Sequence, residues 1–134
     1  MRPWIQVYFL SKMESLFIIK SIEPTEDGFS AHLRCNPSHL IYKAHFPGNP
    51  ITPGACLLQT AGNIMQQKMG RPLYLKTAKN IKYLNLLIPD EEKEIIFSYS
   101  HLVETGTMCA IRLIIADEST VYSKMSLTFS YEPI

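Results

Sequence analysis

The sequence predicts an α+β domain in which one antiparallel sheet curls around a single apolar helix. Three observations carry that expectation. From Pro53 to about Met69, apolar residues recur at spacings of three and four, with Leu57, Leu58, Ala61, Ile64, Met65 and Met69 on the pattern. Near the C-terminus, Met125, Leu127, Phe129 and Tyr131 alternate with Lys124, Ser126, Thr128 and Ser130, the period of a strand with one wet face. Elsewhere, turn-forming segments divide the apolar runs into strand-sized pieces.

The elements follow in order. Leu16 to Ile19 and Phe29 to Cys35 read as two strands joined by the turn-rich Pro24-Thr25-Glu26-Asp27-Gly28. Asn36 to Pro50 contains three prolines and reads as irregular. The helix follows, and Gly70 with Arg71-Pro72 stops it. Ala55, Cys56 and Gly62 keep much of its remaining surface small and apolar, the composition of a helix wrapped by other structure. Leu73 to Ile88 reads as a long strand ended by Pro89-Asp90, followed by strands over Glu94 to Val103 and Thr107 to Ile115 and the final alternating one. Glu104-Thr105-Gly106 and Asp117-Glu118-Ser119 are the turns between them.

A chain of 134 residues makes one domain with a core that needs neither disulfides nor metal, and a 46% hydrophobic fraction argues against disorder. We divide it into an N-terminal extension over residues 1–12, whose part in the fold the sequence leaves open, and a single domain over 13–134; Met13 is an alternative start. The net charge of +1, with no basic block, gives no reason to expect nucleic acid as a partner. Trp4 to Leu10 is too short and too aromatic for a secretory signal, and no stretch reaches the ~20 apolar residues that span a bilayer. Cys35, Cys56 and Cys109 are odd in number and widely spaced, which fits reduced, mostly buried thiols in a cytoplasmic protein better than a disulfide framework or a zinc site. No metal or cofactor is expected.

The chemistry concentrates in His45-Phe46-Pro47-Gly48-Asn49-Pro50-Ile51-Thr52-Pro53-Gly54. Prolines and glycines shape a rigid loop that runs into the helix, and it carries an imidazole able to take and give a proton near neutrality. Thr52 suits the N-cap and Pro53 the first helical position, which leaves the amide of Gly54 unbonded and attractive to charge developing on a carbonyl oxygen. A Pro/Gly-rich loop with one histidine is more often only a loop. Here the whole string raises the odds of a site.

At these residues the chain resembles the hot-dog-fold 3-hydroxyacyl-acyl-carrier-protein dehydratases of fatty-acid synthesis, whose signature is His-Phe-Pro-Gly-x-Pro-x-x-Pro-Gly. His45 to Gly54 match every fixed residue. Ile81 to Asp90 is similar to the family strand that ends in Pro-Gly-Asp, without its glycine, and Ser123 to Ser130 is similar to the final strand. The resemblance covers Met13 to Tyr131 in element order. It implies a hot-dog fold in which His45 removes the α-proton of a 3-hydroxyacyl thioester and the Gly54 amide holds the thioester oxygen. The Ile51 carbonyl would set the imidazole tautomer, and Phe46, Gly48 and Pro53 would help shape the substrate site. It further implies an acyl-ACP or acyl-CoA thioester as substrate and a homodimer or heterodimer with sites formed across the interface.

One position departs from the pattern. Gln59, fourteen residues after His45, stands where family members carry a carboxylate. An amide can polarise a departing hydroxyl but cannot deliver a proton to it, and loss of general-acid help costs on the order of 100- to 10,000-fold in rate. Gln59 either points into a polar cavity and orients the hydroxyl or is an ordering residue without chemistry. Three functions stay open: a dehydratase working through His45 with Gln59 as polariser, a half-site binding subunit needing a carboxylate-bearing partner, and an acyl thioesterase. The last lacks the helix carboxylate that a hydrolase needs.

No other residue supplies the missing acid by spacing. Asp90, Glu91, Glu92 and Glu94 read as a solvated turn at the far end of the sheet. His39 is a possible second proton carrier but reads first as a loop-ordering residue, and His32 and His101 sit in strand patterns without partner signals. Lys76, Lys79, Lys82 and Arg71 gather around one candidate edge strand, where an acidic carrier could dock; ordinary solubility explains four cations equally well.

Overall fold

The structure is a computed structural model and describes residues 16–44 and 48–133. The extension assigned to residues 1–12 lies outside the described residues, as do His45, Phe46 and Pro47. The elements run β1 (Phe17–Pro24), β2 (Phe29–Cys35), α1 (Ile41–Ala44), α2 (Gly54–Met69), β3 (Tyr74–Tyr83), β4 (Glu94–Thr105), β5 (Met108–Ala116) and β6 (Val121–Ser130). All six strands form one sheet in the order β1-β2-β4-β5-β6-β3, and every neighbouring pair is antiparallel. Because the chain passes through α2 between β2 and β3, β3 lands on the far edge beside β6. The expected α+β hot-dog architecture is what forms.

Alternation along each strand sends one face inward. One cross-strand row holds Phe29, Tyr99, Leu113 and Met125; the next holds Ile22, Ala31, Phe97, Ile115, Ser123 and Tyr83. These rows meet Leu57, Ala61, Ile64 and Met65 of α2, all buried. Tyr99 is fully buried, stacks on Phe29 with ring centroids 4.3 Å apart, and donates its hydroxyl hydrogen to the Ala61 carbonyl at 2.8 Å. That bond ties the middle of the helix to the centre of the sheet and satisfies a phenol that burial would otherwise penalise. Gly70 ends the helix in the left-handed conformation (φ 70°) and donates its amide to the Gln66 carbonyl, as the sequence leads one to expect.

Two boundaries differ from expectation. The strand read over Leu73 to Ile88 stops at Tyr83, because Leu84 and Asn85 turn their amides to the Tyr122 carbonyl and residues 84–93 leave the ladder. Within Asn36 to Pro50 a short helix, α1, forms where irregular chain was expected. His39 starts it, accepting the Ile41 N–H on Nδ1 at 3.0 Å. Cys35 and Cys109 are buried, Cys56 is half-buried, and all three are free thiols whose pKa values burial raises.

Candidate active site

The described part of the motif is held by its own loop chemistry. Thr52 is buried and makes three commitments at once: its amide donates to the Leu87 carbonyl (2.8 Å), its hydroxyl shares a hydrogen bond with the Tyr42 hydroxyl (2.9 Å), and its chain leads into Pro53. Burial pushes the Tyr42 phenol up to about 12, so it stays protonated and available to that bond. A cavity of about 350 Å³ opens beside this loop, lined by Pro37, His39, Tyr42, Lys43, Gly48 and Pro50 among others.

The expected cap is corrected by this arrangement. Thr52 is not the N-cap; Pro53 is, with extended backbone (φ −63°, ψ 144°) and no side-chain cap, and the helix begins at Gly54. The Thr52 hydroxyl is already spent on Tyr42. The Pro53 carbonyl accepts from Cys56 and Leu57 (3.0 and 3.2 Å), while the Gly54 amide makes no hydrogen bond among the described residues. The first turn therefore presents a free donor at the positive end of a sixteen-residue helix.

Tyr83 is the residue that sequence reasoning missed here. As the last residue of β3 it pairs with Ser123 on the inward row, so its ring crosses over the helix start. A Cβ placed on Gly54 would stand 2.5 Å from that ring and 2.8 Å from the phenol oxygen. A side chain at 54 would therefore have to displace the far end of the Tyr83 side chain. Among the described residues, Tyr83 is the side chain that a Cβ there would strike.

The remaining candidates fall in different places. Gln59 lies on the exposed side of α2 with Ala55, away from the apolar core of its own chain. Ile51 and Pro53 are half-buried and Gly48 is exposed. His45 and Phe46, and with them the contact expected between the imidazole and the Ile51 carbonyl, lie outside the described residues. His39 lies on the cavity beside the motif loop and accepts the Ile41 N–H at the start of α1. The acidic turn after Pro89 is exposed, and the bond from Thr52 to Leu87 runs its approach directly past the motif loop. His32 and His101 do have carboxylate partners: His32 sits against Glu94 and within 3.8 Å of Glu23, and His101 lies 3.7 Å from Asp27. Those pairs are cross-strand or cross-loop contacts with no trace in sequence spacing. Among the described residues no group of His, Cys, Asp and Glu could hold a metal ion, and no helix is long and apolar enough to cross a membrane.

A curved antiparallel sheet around one buried helix, with a Pro/Gly loop feeding a free helix amide, defines this chain as a hot-dog protein. It belongs to the ApeI-like family, described as ApeI dehydratase, which matches residues 21–125. Among solved structures it is similar to the dehydratase heterocomplex ApeI:P from Xenorhabdus doucetiae, at 16% identity and TM-score 0.69, over 85% of this chain and 97% of that one. It is also similar to a hypothetical thioesterase with coenzyme A from Streptococcus pneumoniae TIGR4 (14%, TM-score 0.63, 98% and 97% covered). A third is Cj0977, a sigma28-regulated virulence protein of Campylobacter jejuni (8%, TM-score 0.63, 99% and 98% covered). At these identities the likenesses establish the fold alone. No curated protein matches the chain.

Proposed function

We propose that this protein dehydrates 3-hydroxyacyl thioesters held on an acyl carrier protein, or hydrates the corresponding enoyl thioesters, in the cytoplasmic synthesis of a fatty-acid or polyene-type lipid. The observation that carries the reading is the unbonded Gly54 amide, which opens α2 at the end of the complete ten-residue motif. Membership of the ApeI-like family supports it.

In this reaction His45 removes the proton on the carbon next to the thioester carbonyl. The Gly54 amide donates to the thioester oxygen as enolate character builds, an interaction stronger in the transition state than in the ground state. The bond from the third carbon to its hydroxyl then breaks, the second and third carbons become doubly bonded, and the proton carried by His45 leaves with the hydroxyl as water. Gln59 donates a hydrogen bond to the hydroxyl and so polarises it, without supplying a proton. Phe46, Gly48, Ile51 and Pro53 shape the loop against which the thioester lies.

The exposed position of Gln59 supports a second reading, in which this chain is one half of a heterodimer whose partner supplies a carboxylate. The solved ApeI:P dehydratase is itself a heterocomplex. In either case the edge strand β3 and the segment after it form the seam. Leu75, Ile81 and Tyr83 are exposed on β3, an edge strand among the described residues, and Leu84, Leu86 and Ile88 on the segment after it, a combination that single chains avoid leaving open.

The test is enoyl absorbance after purified protein meets a 3-hydroxyacyl carrier-protein thioester. Turnover should fall by about 100- to 10,000-fold in His45→Ala, and Gln59→Glu should raise it. Equal rates in the parent and His45→Ala overturn the proposal. Activity that emerges only on mixing with a carboxylate-bearing hot-dog chain selects the heterodimer.

A further inference from the structure

The start of α2 faces a hydroxyl that the fold leaves uncommitted. Tyr42, Tyr99 and Tyr122 give their phenols to Thr52, the Ala61 carbonyl and Asp117. The Tyr83 hydroxyl makes no hydrogen bond among the described residues, although the end of its ring lies against Gly54. The backbone around it is held from both sides. The Lys82 carbonyl accepts the hydroxyl hydrogen of the buried Ser123 at 2.9 Å. The Leu84 amide donates to the Tyr122 carbonyl at 2.8 Å, and the Asn85 side-chain amide donates to the Val121 carbonyl at 2.8 Å. β6 and the turn before it thus fix the strand end on which Tyr83 stands, while its side chain stays open to solvent.

The place this side chain reaches is the free donor of the helix. The three atoms nearest to a Cβ on Gly54 all belong to the phenol end of Tyr83: Cζ at 2.5 Å, and Cε1 and Oη at 2.8 Å each. A helical Cα–Cβ bond tilts toward the helix N-terminus, the direction in which the first amide hydrogens also point. The Tyr83 hydroxyl and the unbonded Gly54 amide therefore face one small volume. No carboxylate is among those nearest atoms. Gln59, at the position where an acid was expected, lies on the exposed side of α2, and its amide has no proton to give. A phenol does, and tyrosine serves as a general acid when it is positioned against a reacting group.

We propose that Tyr83 gives the departing hydroxyl its proton, the role that Gln59 cannot fill. The proposal rests on the dehydratase reading for its substrate. His45 takes the α-proton while the thioester oxygen, held by the Gly54 amide, gathers enolate character. The bond from the third carbon to its oxygen then breaks, and the electron pair leaves with the oxygen. The Tyr83 O–H bond breaks at the same time, and its proton completes a water molecule. The phenolate so formed lies at the positive end of a sixteen-residue helix, where negative charge is favoured. The proton that His45 took restores the phenol through solvent, to which Tyr83 is exposed. One water and one enoyl thioester result, nothing is oxidised or reduced, and the proton from His45 is passed on by way of the phenol.

The test uses two N-acetylcysteamine thioesters of one chain length, a 3-hydroxyacyl and a 3-fluoroacyl thioester. Fluoride leaves without taking a proton, so elimination from the second substrate reports removal of the α-proton alone. Enoyl absorbance is followed for parent protein, Tyr83→Phe and His45→Ala, less the uncatalysed rate. Tyr83→Phe keeps the ring over Gly54 and removes only the hydroxyl, and an unchanged urea midpoint shows that the variant is folded. It should slow the hydroxy substrate by about 100-fold or more and the fluoro substrate by about threefold at most, whereas His45→Ala should slow both by about 100-fold or more. Equal slowing of the two substrates by Tyr83→Phe marks a structural role and overturns the inference. So does an unchanged rate on the hydroxy substrate. Both of those results leave the dehydratase reading standing wherever His45→Ala abolishes turnover. Parent protein that eliminates fluoride but never water also overturns the inference, since the hydroxyl then has no donor. Parent protein that turns over neither substrate removes the inference together with the reading of a chain that acts alone.

Discussion

At the scale of single residues, the start of α2 has a glycine whose missing side chain leaves room for another element. Gly54 provides the free amide, and the Tyr83 ring occupies the space a Cβ would need. Gly54→Ala should cost about 1–2 kcal/mol of stability by overpacking, measured by urea unfolding. Because Tyr83 is an exposed side chain on a strand end, Tyr83→Ala in the same protein should recover most of that loss. A double-mutant cycle showing no coupling between the two positions contradicts the contact. Thr52 teaches a related lesson. Its sequence position reads as a cap, yet burial beside Tyr42 recruits the hydroxyl to tie the loop to α1, and the helix starts uncapped. An uncapped start keeps its donors available for a ligand.

At the scale of elements, close approach sets where the hairpins can form. Gly28 joins β1 to β2, and a Cβ there would lie 2.0 Å from the Tyr99 carbonyl oxygen of β4. That obstacle is backbone in the middle of the sheet and cannot swing aside. Gly28→Ala should therefore destabilise the protein by about 2–3 kcal/mol, seen as a lower urea midpoint with unchanged slope; a neutral substitution would mean that β2 and β4 are further apart than described. Periodicity made several elements legible in advance. Phe29 to Cys35 was readable to the residue because alternation and flanking turn residues agree, and the helix was readable to within one residue at its start because Gly70 and the apolar spacing agree. Ile81 to Asp90 misleads because its apolar residues resemble a continuing strand. The chain leaves the ladder after Tyr83, with Leu84, Leu86 and Ile88 exposed while Leu87 turns into the core.

At the scale of the whole molecule, the two faces and two edges of the sheet have separate tasks. The inner face grips α2, the outer face near β3 gathers cations, and the β3 edge exposes apolar side chains that a partner chain would cover. If the dimer proposed above forms through this edge, replacing Leu86 and Ile88, which are 66% and 54% exposed, by lysine should shift the protein from dimer to monomer in size-exclusion chromatography with light scattering. Retention of the dimer would place the seam elsewhere. On the heterodimer reading proposed above, losing the partner should also lower turnover, because Gln59 is exposed on its own chain.

The sequence by itself determined the fold class, the order of nearly all elements, the family resemblance and the ten-residue motif, because periodicity, turn residues and a local string of prolines and glycines act over short chain distances. Tertiary structure decided which distant residues share a face. Tyr83 reaches Gly54, Lys82 faces Lys124, and His32 meets Glu94, because the register of antiparallel strands brings together positions tens of residues apart. Strand register is a property of the assembled sheet, where burial of one face fixes every cross-strand partner at once, and no local pattern in the chain encodes those partners.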